Sequence, residues 1–179
     1  MIGVVPVALF AVVTWQVAVH GTLARLDERA GRALAGRGPA PLAELLADLG
    51  NLQVALPVLA AALAYAVWRG RRCAALYAGL AMGLVPAVVV PLKVLVDRVG
   101  PLTAETGYYP SGHTATALVA YGGAALVLHR RRLMPVAVLL TMATGIGLVL
   151  RGYHWPLDVL GSACLFGPVL LSVGYAARR

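Results

Sequence analysis

Six apolar stretches divide the chain, at 2–19, 52–68, 73–92, 114–128, 133–150 and 157–176, with polar residues collected in the segments between them. Each approaches the ~20 residues that cross ~30 Å of hydrocarbon, where a backbone can satisfy itself only as a helix or a closed barrel. The pattern therefore predicts an all-α, polytopic membrane protein built as a six-transmembrane-helix bundle. The fourth stretch is short and extends back through His113 if its first turn lines a polar funnel.

The segment between the first two stretches has a different texture. From Leu23 to Leu34 and from Pro41 to Leu49, leucines recur at three- and four-residue spacing with Arg25, Asp27, Glu28, Arg29, Glu44 and Asp48 between them. That spacing predicts two amphipathic helices in the membrane interface, separated by the GRGPAP break at 36–41. No longer polar linker and no fixed-period repeat is present, so residues 1–179 read as one domain. The first stretch lacks a charged start and is closed by Gln16 and His20, which suits a retained helix rather than a cleaved signal.

Composition sharpens the picture. Of 179 residues, 60% are hydrophobic and 12% charged, and the mean hydropathy is +0.82, which makes the bilayer the solvent. Loops assigned alternately to two sides place Arg69, Arg71, Arg72, Arg130, Arg131, Arg132, Arg178 and Arg179 together, with no acidic residue among them. The other side holds the remaining basic residues and all the acidic ones. The positive-inside rule makes the first side cytoplasmic, with both termini inside and the loops at 20–51, 93–113 and 151–156 outside a plasma membrane. The net charge of +8 is thus a topology signal, and no aromatic-interleaved basic patch points to nucleic acid. Lys93 is the single lysine among 15 basic residues, a bias that suits a GC-rich bacterial genome. Cys73 and Cys164 fall at different depths and do not suit one bridge.

Polar residues kept near membrane spans are functional candidates. Here they concentrate in two outer loops. Pro110-Ser111-Gly112-His113 before an apolar run is a helix start: Ser111 can cap, Gly112 admits close approach of an anion, and free backbone N–H groups offer a phosphate seat. Ordinary capping is the competing reading. His113 beside a phosphate dianion would favour its charged form and so serve as a proton donor. His154 and Asp158 stand four apart, with Pro156 suited to a first helical turn, so one helix face can carry both. A carboxylate on one ring nitrogen leaves the other free to attack phosphorus, although a structural His–Asp pair has the same spacing. Lys93, Arg98 and Arg151 are candidates to neutralise phosphoryl oxygens, with snorkelling as the alternative, most seriously for Arg151.

These residues resemble the type 2 phosphatidic acid phosphatase (PAP2) family. Its second signature, Pro-Ser-Gly-His, stands intact at 110–113, and the closing His-x-x-x-Asp of its third at His154 and Asp158. In the first signature Lys93 and Pro101 are in register, but Gly100 stands in the arginine's place, with Arg98 two residues earlier. In the third, Gly147-Leu148 replaces Ser-Arg, with Arg151 three residues later. Three residues are close to one helical turn, so Arg151 is expected to reach the same space from nearer the loop, and Arg98 to enter it from two residues upstream.

The resemblance implies a lipid phosphatase in which His154 attacks phosphorus, Asp158 orients it and His113 protonates the leaving oxygen, through a phosphohistidine. Lys93, arginine, Ser111 and Gly112 would hold the phosphate, with no metal and no cofactor. The implied partner is a membrane lipid: first an undecaprenyl or other polyprenyl pyrophosphate, with phosphatidic acid, phosphatidylglycerol phosphate and polyprenyl phosphosugar phosphates as alternatives. Two rivals remain at this level. One is a metal-dependent hydrolase ligated by His113, His154, Asp158 and His20; the other is a noncatalytic protein that binds lipid phosphate. Oligomeric state is not encoded in any motif.

Overall fold

A computed structural model describes residues 4–177; the start of the first apolar stretch and the terminal Arg178 and Arg179 lie outside them. Eight α-helices follow in order: α1 (Val4–Ala18), α2 (Thr22–Leu34), α3 (Ala40–Asp48), α4 (Leu52–Trp68), α5 (Arg72–Val96), α6 (Gly112–Val127), α7 (Met134–Leu150) and α8 (Pro156–Ala176). The described residues contain no strand. Within the described residues every predicted stretch forms a helix. α6 begins at Gly112, so His113 lies on the helix, and α5 runs to Val96, so Lys93 is helical too.

By length and composition three helical stretches can cross a membrane: Ala40–Trp68, α5 and α8. A fourth is reached if α1 and α2, which meet at 82°, form one broken span. α6 and α7 are shorter, at 16 and 17 residues. α6 is nevertheless the central helix, with twelve of its 16 residues buried, and a helix shielded by neighbours does not need the long apolar surface that lipid demands.

The packing pattern is that of a membrane bundle. Buried positions are dominated by alanine, among them Ala55, Ala62, Ala78, Ala81, Ala117 and Ala120, whereas Leu76, Leu80, Val90, Leu95, Leu139 and Ile146 face outward. Water would reverse that order. In lipid, small interior residues let helices approach closely, and large aliphatic ones meet hydrocarbon at little cost.

Two features of the segment between α1 and α4 differ from a simple leucine-faced hairpin. In α2 the buried stripe is Ala24, Asp27 and Gly31, while Leu23, Leu26 and Leu34 are exposed. α3 continues towards α4 in one 29-residue stretch and packs along α7. Gly147 permits this approach: a Cβ there would lie 2.3 Å from the Ala47 nitrogen and 2.7 Å from the Ala43 oxygen.

Candidate active site

The ends of α6 and α8 are stapled together. Ser111 N donates to the Asp158 carbonyl at 3.1 Å, and Ser162 Oγ donates to the Ser111 carbonyl at 2.7 Å. Ser111 also caps α6, accepting from Thr114 N at 3.3 Å and from Thr114 Oγ1 at 3.1 Å. The cap, expected from the sequence, thus sits fully buried between two helices. His113 on α6 and His154 just before α8 are thereby brought together, with ring centroids 6.4 Å apart.

Asp158 is wholly buried and fully used. Its Oδ2 lies 3.1 Å from His154 Nδ1 and accepts from Trp155 N at 2.9 Å. Its Oδ1 accepts from Arg98 Nη1 at 2.6 Å. An acceptor-only carboxylate against Nδ1 selects the tautomer that carries its proton there and leaves the Nε2 lone pair free.

Arg98 is therefore not beside the open face of His154. Its second terminal nitrogen donates to Asp27 Oδ2 at 2.6 Å, and all three side chains are nearly inaccessible, at 5% for Arg98, 3% for Asp27 and 0% for Asp158. Asp27 Oδ1 also accepts from Leu157 N at 2.9 Å, in the first turn of α8. The Trp155 ring lies 5.6 Å from the Arg98 guanidinium. The expected clamp position two residues upstream of the motif is thus turned inward to a pair of carboxylates. Nothing in the leucine periodicity of α2 distinguished Asp27; its spacing from Ala24 and Gly31, two small residues, was the available signal.

The space beside Gly100 is filled by another residue. A Cβ at Gly100 would lie 2.4 Å from the Tyr108 ring, whose hydroxyl pairs with Thr103 Oγ1 at 2.9 Å. The same ring meets His154 edge-on, centroids 5.7 Å apart. Glycine at 100 and tyrosine at 108 are complementary, a relation between residues eight apart that no linear motif exposes.

Arg151 pairs with Glu44 and lies beside the Tyr153 ring, and Tyr153 hydroxyl donates to Glu44 at 3.0 Å. It links the α7–α8 turn to α3. Position 148, where the third signature carries arginine, is a fully buried leucine.

Lys93 remains with the histidines. Its Nζ donates to the Gly107 carbonyl at 2.6 Å, and it lines a cavity of about 750 Å³ with Gly112, His113 and His154. From that polar end the cavity follows α4 and α5 past Leu56, Val89, Pro86 and Met82. A Cβ at Gly112 would meet only Val89, at 3.9 Å, among the described residues, so the position is open to close approach by a ligand. A second cavity of about 520 Å³, lined by Glu44, Asp48, Asn51, Tyr108 and Tyr153, reaches both histidines from the other side. Neither cavity is lined by an arginine among the described residues. No three His, Cys, Asp or Glu side chains among them gather as a metal-ligand set, and His20 lines a separate pocket with Glu28 and Arg98.

The family model of the PAP2 superfamily matches residues 74–177, which hold Lys93, Arg98, Ser111, Gly112, His113, Arg151, His154 and Asp158. The chain belongs to the PAP2 superfamily. Among curated proteins, this PAP2 chain is 37% identical over 82 residues to phosphatidylglycerophosphatase B of Escherichia coli K12 and to that of Shigella flexneri. Those matches cover 42% of this chain and 31% of the relatives, so less than a third of the relatives' length is spanned. Among solved structures, the fold matches a transmembrane PAP2-type phosphatidylglycerolphosphate phosphatase from Bacillus subtilis. The TM-score is 0.80, over 96% of this chain and 93% of that one, at 23% identity, a likeness of fold.

Proposed function

We propose that this PAP2 chain is a membrane lipid phosphatase with His154 as nucleophile. The observation that carries the reading is the buried Asp158 on Nδ1 of His154, with Nε2 free and His113 and Lys93 lining the same cavity. In the first half-reaction the Nε2 lone pair forms a bond to phosphorus. The P–O bond to the lipid breaks, its electron pair stays on oxygen, and His113 supplies the proton. In the second, water oxygen bonds to phosphorus while His113 takes its proton, the P–N bond breaks with its electron pair returning to Nε2 of His154, and inorganic phosphate leaves. Lys93 and the N–H groups at the start of α6 hold the equatorial oxygens. No step draws on a metal or cofactor.

The cavity running down α4 and α5 from the histidines supports a lipid substrate, because its apolar length suits a chain whose phosphate sits at the polar end. The relatives' names put phosphatidylglycerophosphate ahead of the polyprenyl pyrophosphate that the family resemblance put first. The outward-facing site is supported by Arg71, whose guanidinium donates to the Val127 carbonyl at 3.2 Å. That bond joins the arginine-rich α4–α5 turn to the far end of α6, away from His113. With those arginines cytoplasmic, the histidines face outward in a plasma membrane.

The test is phosphate release in detergent micelles from phosphatidylglycerophosphate, phosphatidic acid and polyprenyl pyrophosphate, with His154→Ala beside the wild type and with excess chelator. Turnover that vanishes in the variant and survives the chelator is expected. Equal release by both proteins, or none by either, would overturn the enzymatic reading; loss to chelator restored by metal would overturn the metal-free one.

A further inference from the structure

His113 has partners that the two-histidine mechanism does not use. Its Nε2 lies 2.8 Å from Asn51 Oδ1, and Asn51 Nδ2 donates to Asp48 Oδ1 at 2.7 Å. An ionised carboxylate only accepts, so the Asp48 contact sets the amide's orientation: its NH₂ faces Asp48 and its carbonyl faces the ring. A carbonyl also only accepts. The ring nitrogen opposite it, Nε2, therefore carries the proton, and Nδ1, without a hydrogen-bond partner among the described residues, is left for exchange with substrate.

Asn51 forgoes a local role to make this contact. It occupies the N-cap of α4 but forms no side-chain capping bond, although asparagine is among the residues best suited to one. α3 brings Asp48 to the same place.

We infer that Asp48 and Asn51 are positioning residues that hold His113 in its Nε2–H form, so that proton transfer runs through Nδ1 in both half-reactions. The inference rests on the phosphatase reading and deepens it. In the first step the imidazolium gives its Nδ1 proton to the leaving oxygen, which keeps the electron pair of the broken P–O bond. The neutral ring that results already has its remaining proton on Nε2 and its lone pair on Nδ1, the form that takes a proton from the attacking water. The Asn51 carbonyl accepts from Nε2–H in either state, so the ring need not turn over.

The two histidines are thereby tuned apart. Asp158 touches His154 directly, whereas Asp48 reaches His113 through a neutral amide. Its charge favours the imidazolium without locking the proton in an ion pair. Around His113 the other titratable groups are Lys93 on α5, Glu44 on α3, and Tyr108, Tyr153 and His154 in the loops. Lys93 opposes the imidazolium, which gives Asp48 a charge to counterbalance.

The experiment is a pH profile of kcat/KM for wild type, Asp48→Asn and Asn51→Leu, joined to ¹⁵N spectra of the histidines. Asp48→Asn keeps an acceptor but removes the charge, and its alkaline limb should move to lower pH by about half a unit or more. Asn51→Leu should lose about tenfold or more in kcat/KM and its excess of the Nε2–H tautomer. A purely structural role would lower the whole profile and leave its limbs in place. An unmoved limb in Asp48→Asn, with wild-type turnover abolished by His154→Ala, overturns the inference and leaves the phosphatase reading intact. If the wild type releases no phosphate, that reading fails, and the spectra still decide the tautomer: an Nδ1–H majority on His113 overturns the inference by itself.

Discussion

Arg98 separates two accounts of this site, because it was expected to touch phosphate and instead bridges two buried carboxylates. Replacing it with methionine keeps the stem's volume and removes the charge. Asp27 and Asp158 then lose a charge-assisted bond of 2.6 Å each, and their side chains, at 3% and 0% exposure, have no water to replace it. Removing one partner of a buried ion pair typically costs about 3–5 kcal/mol, and with two carboxylates stranded the upper end applies. Part of that cost is relieved if one carboxyl takes up a proton. If Asp158 takes it, His154 loses the ionised group that orients it, and turnover falls with stability.

The assay is denaturant-driven unfolding in mixed micelles followed by tryptophan fluorescence, for which Trp155 beside the Arg98 guanidinium is a local reporter, run with competitive inhibition by inorganic phosphate. An internal bridge predicts a large loss of stability in Arg98→Met and a smaller one in Asp27→Asn, which leaves Arg98 paired with Asp158. Stability within about 1 kcal/mol of wild type, together with much weaker phosphate inhibition, would refute the bridge and return Arg98 to the phosphate.

Lys93→Met removes the one cation among the described residues that lines the cavity with both histidines and should lower kcat by about 10²–10³, measured with saturating lipid; a change under about threefold would remove it from the phosphate site. Arg151→Ala breaks the rim contact with Glu44 and Tyr153 and should cost turnover less than Lys93→Met does in the same assay. Gly147→Val drives a side chain into the α3 backbone and should destabilise by about 1–3 kcal/mol, read by the same unfolding curves. Gly100→Arg alone meets the Tyr108 ring and should lose activity, and Tyr108→Ala in the same chain should restore part of it, since the two side chains compete for one space.

The placement of helices was legible in the chain because hydrophobic length is a local property. The stretch from 52 to 68 coincides with α4, and the two amphipathic segments fall on α2 and α3. The pairing of His154 with Asp158 was legible for the same reason: residues four apart on a helix start share a face whatever surrounds them. Pro-Ser-Gly-His likewise announced the start of α6 with Ser111 as its cap.

What lay beyond the sequence was every relation set by distant segments. The charge of Arg98 was visible, but its direction is decided by Asp27, 71 residues away, and by Asp158, 60 residues away. Leucine spacing marked α2 as amphipathic without saying which face meets the bundle; in lipid the leucines can face outward, and the polar Asp27 is the residue turned in. Asn51 looked like the last loop residue before a span, and only the packing of α3 on α7 and of α4 on α6 carries its amide to His113. Local pattern determined which backbone is helical and which residues are candidates for the chemistry. Tertiary packing decided which charges meet, because an ion pair or a tautomer depends on what lies within about 3 Å, and that neighbourhood is assembled from four separate stretches of chain.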